Sequence, residues 1–247
     1  MKLTALCCTY NRPNVIHHAI QSFLRQDYPE NLRELIVLDD YGSYAPQEHE
    51  NWCVVVSRRR FLTLGEKMNA VAGLASRDSD GYVVWEDDDI YLPWTFRAHA
   101  ESLQRGDWSV PSEVILEHSG PRFSLHKTNG MFHSAWAYRR DAFAKVSGYP
   151  FALTTGDMGL MDRFRRANVK IIDPLAFGFR PYLIYRWFTT GYKNASAFGD
   201  RGYLLAECKP KPSALTQIDP KWPRDYVAIT KSLLEPAENP QCLNHSG

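Results

Sequence analysis

The sequence predicts an α/β fold whose central sheet is mostly parallel, and three observations carry that prediction. From Leu3 to Trp85, short apolar runs and helix-spaced segments follow one another as strand, helix, strand, strand, helix, strand. Three of the runs stop abruptly in polar residues, at Thr9 to Arg12, at Asp39-Asp40 and at Asp87 to Asp89. Ligands in parallel sheets bind beyond the carboxyl ends of the strands, so these three stops read as one rim. The length of 247 residues, with 44% apolar and 23% charged residues, suits one large domain with a substantial core.

Leu3 to Thr9 reads as the first strand, broken by Thr9-Tyr10-Asn11-Arg12-Pro13. Pro13 is tolerated in the first turn of a helix. Val15, Ile16, Ala19, Ile20, Phe23 and Leu24 then share one helical face. Leu35 to Leu38 and Trp52 to Val56 read as buried strands, and Gly65 to Ala75 as a helix with Met68, Ala72 and Ala75 inward. Val83-Val84-Trp85 is the next buried strand. Pro93 to Leu103 is a helix with Trp94, Phe96, Ala100 and Leu103 as core contacts. Val114 to Leu116 and Trp136 to Tyr138 are short β-like runs around a polar loop, His118 to Arg122. Asp141 to Val146 is a short helix, and the segment after Asp157 is another, with Leu160, Met161, Phe164 and Ala167 on one face. Val169 to Ile172 and Leu183 to Trp187 read as strands. Prolines at 210, 212, 220, 223, 236 and 240 would make an irregular tail wrapped over the domain.

A net charge of +1 gives no global reason to expect nucleic acid or a membrane. No apolar run approaches the ~20 residues that span a bilayer. The short apolar start, Met1 to Leu6, lacks a signal-peptide core, so a cytoplasmic location is expected. Five cysteines, an odd number with no CxxC pair, agree with a reducing compartment and argue against structural zinc.

The chemistry centres on Glu86-Asp87-Asp88-Asp89. Carboxylates crowded at the end of a buried strand repel one another and are costly to desolvate. Mg²⁺ or Mn²⁺, held by one or two carboxylates plus substrate phosphates, would remove both problems. A solvated acidic turn ahead of a helix is the bland alternative. In a regular strand, Glu86 and Asp88 would face one way, and Asp87 and Asp89 the other.

The ordered set Cys8-Thr9-Tyr10-Asn11-Arg12, Leu38-Asp39-Asp40-Tyr41-Gly42-Ser43, Gly65-Glu66-Lys67-Met68-Asn69, Asp87-Asp88-Asp89-Ile90-Tyr91-Leu92-Pro93 and Gly156-Asp157 closely resembles family-2 glycosyltransferases of the GT-A fold, over roughly residues 3 to 190. The resemblance implies a Rossmann-like sheet flanked by helices, with a nucleotide-sugar-binding half at 1–105, an acceptor-binding half at 106–205 and an irregular extension at 206–247. It implies transfer of a sugar from a UDP- or GDP-sugar to an acceptor hydroxyl, with inversion and with Mn²⁺ or Mg²⁺. By position, Thr9, Tyr10 and Arg12 would line the nucleotide pocket, with Tyr10 stacking on the base. Asp40 or Asp39 would meet the base, Lys67 and Asn69 would lie near the nucleotide, and Asp87 would bond the ribose. Asp88 would ligate the metal, with Asp89 as a second candidate, the register being open by one residue. Asp157 matches the general base that takes the acceptor's proton, and a helix N-terminus would keep it ionised. An N-cap is the competing reading of Asp157.

The family's His-containing loop after the last strand is replaced by Thr189 to Ser196, where Lys193 and Asn194 are the candidates to meet diphosphate. His17 reads as a surface or helix-packing residue, and His118, His126 and His133 have no zinc spacing. His133 is a candidate acceptor contact, and Trp136, Tyr138, Trp187 and Phe188 are core residues or a sugar platform. Arg58-Arg59-Arg60 reads as a solvated turn near a strand end. A nucleotidyltransferase is disfavoured because Thr9 to Pro13 contains no glycine. A non-catalytic nucleotide-sugar-binding protein is disfavoured by intact Asp88 and Asp157. The acceptor is open among saccharides, lipid-linked precursors, proteins, metabolites and a hydroxylated DNA base of the kind modified by phage enzymes.

Overall fold

The structure, a computed structural model, describes residues 1–12, 14–118, 122–152, 156–186 and 215–235. The first half builds the main sheet from β1 (Leu3–Thr9), β2 (Arg33–Asp39), β3 (Gln47–Glu48), β4 (Trp52–Val56) and β5 (Gly81–Val84). Helices α1 (Ile16–Leu24) and α2 (Leu64–Leu74) connect them. The chain continues through β6 (Ile90–Tyr91), α3 (Thr95–Leu103), β7 (Trp108–Ser109), β8 (Glu113–Glu117) and β9 (Phe123–Lys127). It then forms β10 (Ala137–Arg139), α4 (Arg140–Lys145), α5 (Gly156–Arg166), β11 (Ile171–Ile172), β12 (Leu183–Tyr185) and a last helix, α6 (Tyr226–Leu234).

The main sheet runs β11-β7-β10-β5-β1-β2-β4-β3, and β6-β12-β8-β9 form a second, smaller sheet. β5, β1, β2 and β4 are mutually parallel, while β10 enters antiparallel to both neighbours. Period-two alternation explains the layers. Leu3, Ala5 and Cys7 of β1 pack with α1 and α3, through Ile20, Phe23, Phe96 and Leu103. Leu6 and Cys8 face the opposite layer, with Met68 and Val71 of α2 and Leu160 and Phe164 of α5. Apolar burial on both faces is what a parallel sheet requires. Helix α2 starts where Thr63 accepts a hydrogen bond from Glu66 N (2.9 Å) while the Glu66 carboxylate accepts from Leu62 N (2.9 Å). Thr63-x-x-Glu66 is thus a capping signature written in the sequence.

Four expectations are corrected. Strand β5 ends at Val84, and Trp85 instead stacks on Tyr91 (3.7 Å between centroids) and donates from its indole to Ala19 O (3.0 Å). Glu86 to Asp89 therefore lie in a turn, and the strand alternation foreseen for them does not apply. The tail is not wholly irregular: Asp225 caps α6 through Ala228 N (3.1 Å). Trp136 and Tyr138 are 1% and 0% exposed, which makes them core residues rather than a sugar platform.

The described C-terminal segment straps the first half of the fold. Thr216 N donates to Ser43 O (2.8 Å), Asp219 N to His17 Nδ1 (2.8 Å) and the Trp222 indole to Ser22 Oγ (3.0 Å). Arg224 and Tyr226 reach the buried Glu117 of β8. Trp187, Phe188 and the expected loop at Thr189 to Ser196 lie outside the described residues. Among the described residues, no helix is long and apolar enough to cross a membrane.

Candidate active site

Thr9 closes β1 and Asp40 follows β2, so parallel pairing of the two strands brings their ends side by side. Lys67, from the first half of α2, bridges them. Its ammonium donates to Thr9 O (2.5 Å) and to Asp40 Oδ1 (2.5 Å), and both side chains are almost fully buried. Asp40 also accepts from Arg60 Nη1 (3.2 Å) and Phe61 N (3.1 Å). The Arg60 guanidinium lies 3.0 Å from the centroid of the Tyr10 ring, whose other neighbour is Tyr41, edge-on at 5.1 Å. Arg60 thus belongs to the rim and not to a solvated turn. Its position was missed because nothing in Arg58-Arg59-Arg60 distinguishes the inward arginine.

Asp39 and Asp40 divide their work. Asp39 accepts from Tyr41 N (2.8 Å), Gly42 N (3.1 Å) and Tyr44 N (3.3 Å), which shapes the loop after β2. Its carboxylate is committed to that loop, so of the pair Asp40 is the one that faces the basic residues. Asn69 is similarly committed, pairing with both the N–H and the C=O of Tyr149 (2.9 Å each).

The acid turn is held from three sides. Arg12 Nη1 donates to Asp87 Oδ1 (2.6 Å) and to Asp88 Oδ2 (2.7 Å). Asp87 is fully buried beneath that guanidinium, so as it stands it offers no surface to a ribose. Asp89 Oδ1 accepts from Arg186 N (2.9 Å), just past β12, and so ties the turn to the second sheet. Arg186 in turn bonds Glu117 Oε2 (3.0 Å) and His18 Nδ1 (2.9 Å). Glu86 Oε1 pairs with His133 Nδ1 (3.2 Å), His133 Nε2 with the Tyr149 hydroxyl (2.7 Å), and Tyr149 with the Tyr138 hydroxyl (2.9 Å). The Glu86–His133 link was not foreseen, since 47 residues separate the two and no local spacing marks it.

The turn carries more negative charge than its neighbours neutralise. Burial and repulsion from Asp87 push the Asp88 carboxyl up to about 7 despite Arg12. Burial, then Asp88, raises Asp89 well above its usual range. Asp87 Oδ2 and Asp89 Oδ2 are buried without a hydrogen-bond partner. Of Asp87 to Asp89, only the Asp88 side chain keeps appreciable exposure, at 19%. These residues fit a divalent cation at Asp88. Among the described residues no three His, Cys, Asp or Glu side chains form a ready-made cage, so such a cation would need oxygens from a substrate.

Asp157 lies in the first turn of α5, one residue inside its start, with Oδ1 accepting from Met158 N (2.8 Å). That position, inside the helix, is not that of an N-cap. Close packing sets the start of α5 against that of α2: a Cβ built on Gly156 would sit 3.3 Å from Gly65 N. Tyr185, the last residue of β12, registers the convergence. Its phenol is pushed up by burial and then by Asp89, Asp88, Glu86 and Asp157 together. Of the expected residues, Thr9, Asp40 and Lys67 meet in one set of direct contacts and Arg12, Asp87 and Asp88 in another, with Tyr10 beside Arg60. Asp89 and Asp157 flank them, and Asp39 and Asn69 support backbone.

Residues 4–110 match the family model described as glycosyl transferase family 2. Among solved structures, residues 1–349 of S. aureus TarS in complex with UDP-GlcNAc align with TM-score 0.57 and 15% identity, covering 75% of this chain and 58% of that one. A mannosyltransferase from Pyrobaculum calidifontis, PcManGT, in complex with GDP-Man and Mn²⁺, aligns with TM-score 0.52 and 13% identity, covering 70% and 54%. The chain spans 37% of the longer TarS structure. No curated protein matches the sequence. The family-2 match thus lies on the strands and helices that form the rim, and the chain shares the fold of these structures, so it is similar to family-2 glycosyltransferases of the GT-A fold.

Proposed function

We propose that this protein is a metal-dependent, inverting glycosyltransferase that moves a sugar from a nucleoside diphosphate donor, with UDP favoured, to an acceptor hydroxyl. One observation supports the reading: the ends of β1, β2 and β5 bring a buried Lys67–Asp40 pair and an Arg12–Asp88 pair to one rim, and Asp157 at the start of α5 acts on the same Tyr185 phenol as the acid turn. Tyr10 and Arg60 form a flat cationic wall suited to a base, and Asp40 is the acceptor beside it. Lys67 contributes positive charge behind the diphosphate. Asp88 would hold Mn²⁺ or Mg²⁺ together with diphosphate oxygens, and the bound cation supplies charge against that developing on the leaving diphosphate. Asp157 takes the proton of the attacking hydroxyl, on the face opposite the leaving group. The UDP-GlcNAc and GDP-Man in the neighbouring structures are donors of this kind.

The test is a melting-temperature series with UDP-glucose, UDP-GlcNAc and GDP-mannose in the presence of Mn²⁺, since only ligands of the folded state raise the midpoint. One donor is expected to raise it, and nucleotide release from that donor is expected to vanish in Asp88→Ala. Unchanged midpoints with all three donors, or full release by Asp88→Ala, would count against the proposal.

A further inference from the structure

Arg12 stands in an unusual place for a nucleotide-site residue. Its guanidinium is 3% exposed and its Nη1 holds Asp88 Oδ2, the oxygen of the one accessible aspartate in the turn. The same nitrogen holds Asp87, so a single cationic group already joins two adjacent acids. The backbone beneath it is fixed. Arg12 O accepts from the Tyr44 hydroxyl (3.0 Å), and Asn11 holds a left-handed φ of 50°. On this fixed backbone, release of Asp88 would come from rotation of the side chain.

A divalent cation and an arginine cannot share one carboxylate oxygen without strong repulsion. We propose that Arg12 keeps the cation's place at Asp88 until a diphosphate arrives, so that metal binding to this protein is gated by the nucleotide. The reason is an exchange of partners. A diphosphate gives the guanidinium new oxygens to bond, in the forked geometry that arginine favours. It also supplies the oxygens that a cation at Asp88 otherwise lacks among the described residues. Before that, Arg12 offsets the repulsion between Asp87 and Asp88, which would otherwise draw a cation from solution. Substituting a positively charged residue of the donor site should therefore strengthen the binding of bare metal.

The inference rests on the metal-dependent reading above, and the experiment separates the two. Mn²⁺ is titrated into wild type, Arg12→Gln and Arg12→Lys, with and without UDP. Bound metal is read by calorimetry and by the EPR signal of free Mn²⁺. Wild type is expected to bind Mn²⁺ weakly alone and at least ~10-fold more tightly with UDP. Arg12→Gln is expected to bind Mn²⁺ alone at least ~10-fold more tightly than wild type and to show a smaller UDP effect. Arg12→Lys, whose single ammonium reaches less far, falls between them and serves should the Gln variant fail to fold. Bare-metal affinity in the variants no higher than in wild type, with UDP still promoting Mn²⁺ binding in all three, overturns the role of Arg12 and leaves the metal site standing. Absence of Mn²⁺ binding in every protein even with UDP overturns both.

Discussion

Gly65 and Gly156 meet where the starts of α2 and α5 converge, and a side chain at either position would be crowded. A Cβ on Gly65 would lie 2.7 Å from Pro150 O and 3.1 Å from Tyr149 Cβ, whereas one on Gly156 would meet Gly65 N at 3.3 Å. The backbone contact at Gly65 cannot yield by rotating a side chain, so Gly65→Ala is expected to cost about 1–3 kcal/mol, more than Gly156→Ala. Urea unfolding of the two variants checks the order. Because α5 carries Asp157, Gly65→Ala should also slow turnover while donor affinity changes less.

Asp157→Asn keeps the size and most of the polarity of the side chain and removes its basicity. Donor binding in a melting-temperature assay is expected to stay as in wild type, while the rate of sugar transfer falls about 10²–10⁴-fold. Normal turnover by this variant would remove Asp157 from the role of base.

The row Glu86, His133, Tyr149 and Tyr138 has one proton arrangement that satisfies every donor. Tyr138 donates to Tyr149, Tyr149 to His133 Nε2, and His133 Nδ1–H to Glu86. Burial keeps the Tyr149 hydroxyl protonated by pushing its pKa well up. Tyr149→Phe leaves His133 Nε2 without its donor and Tyr138 without its acceptor. A loss of about 1–3 kcal/mol is expected, measurable by denaturant unfolding. Glu86, no longer held through the ring, should lower turnover in the same variant.

His99 is fully buried between Ser109 (2.9 Å) and the edge-on ring of Tyr182 (4.8 Å), and burial lowers its pKa to about 3. The unfolded chain takes up a proton near pH 6.5, and the folded chain does so only near 3. The stability contribution of the neutral ring is therefore complete above about pH 6.5 and is lost as pH falls toward 3. One such proton corresponds to a slope of roughly 1.4 kcal/mol per pH unit within that window. Unfolding measured from pH 7 to 4 should be flatter by about that slope in His99→Gln.

Much of this architecture can be read from residue order, because local and tertiary preferences agree along the first half. Leu3 to Thr9 and Trp52 to Val56 are mostly apolar, and the strands span those residues. The acid turn shows where such reading stops. Val83-Val84-Trp85 is continuous apolar sequence, yet Trp85 leaves the strand because its ring finds Tyr91 and its N–H finds a carbonyl of α1, contacts that only tertiary packing supplies. The partition between Asp39 and Asp40 was illegible for the same reason, since either could turn inward until the loop hydrogen bonds choose. His133 reaches Glu86, and Arg186 reaches Asp89, across separations of 47 and 97 residues, beyond any spacing rule.

The strap gives the two ends of the chain a shared fate. Trp222 lies on α1 with Arg25 over its ring at 4.6 Å, and two residues on, Arg224 engages the glutamate that steadies Arg186. Indole emission from this position would shift on peeling the C-terminus away, and the acid turn would lose a brace at the same moment. A load applied after α6 would therefore reach the candidate site through Arg224, Glu117 and Arg186.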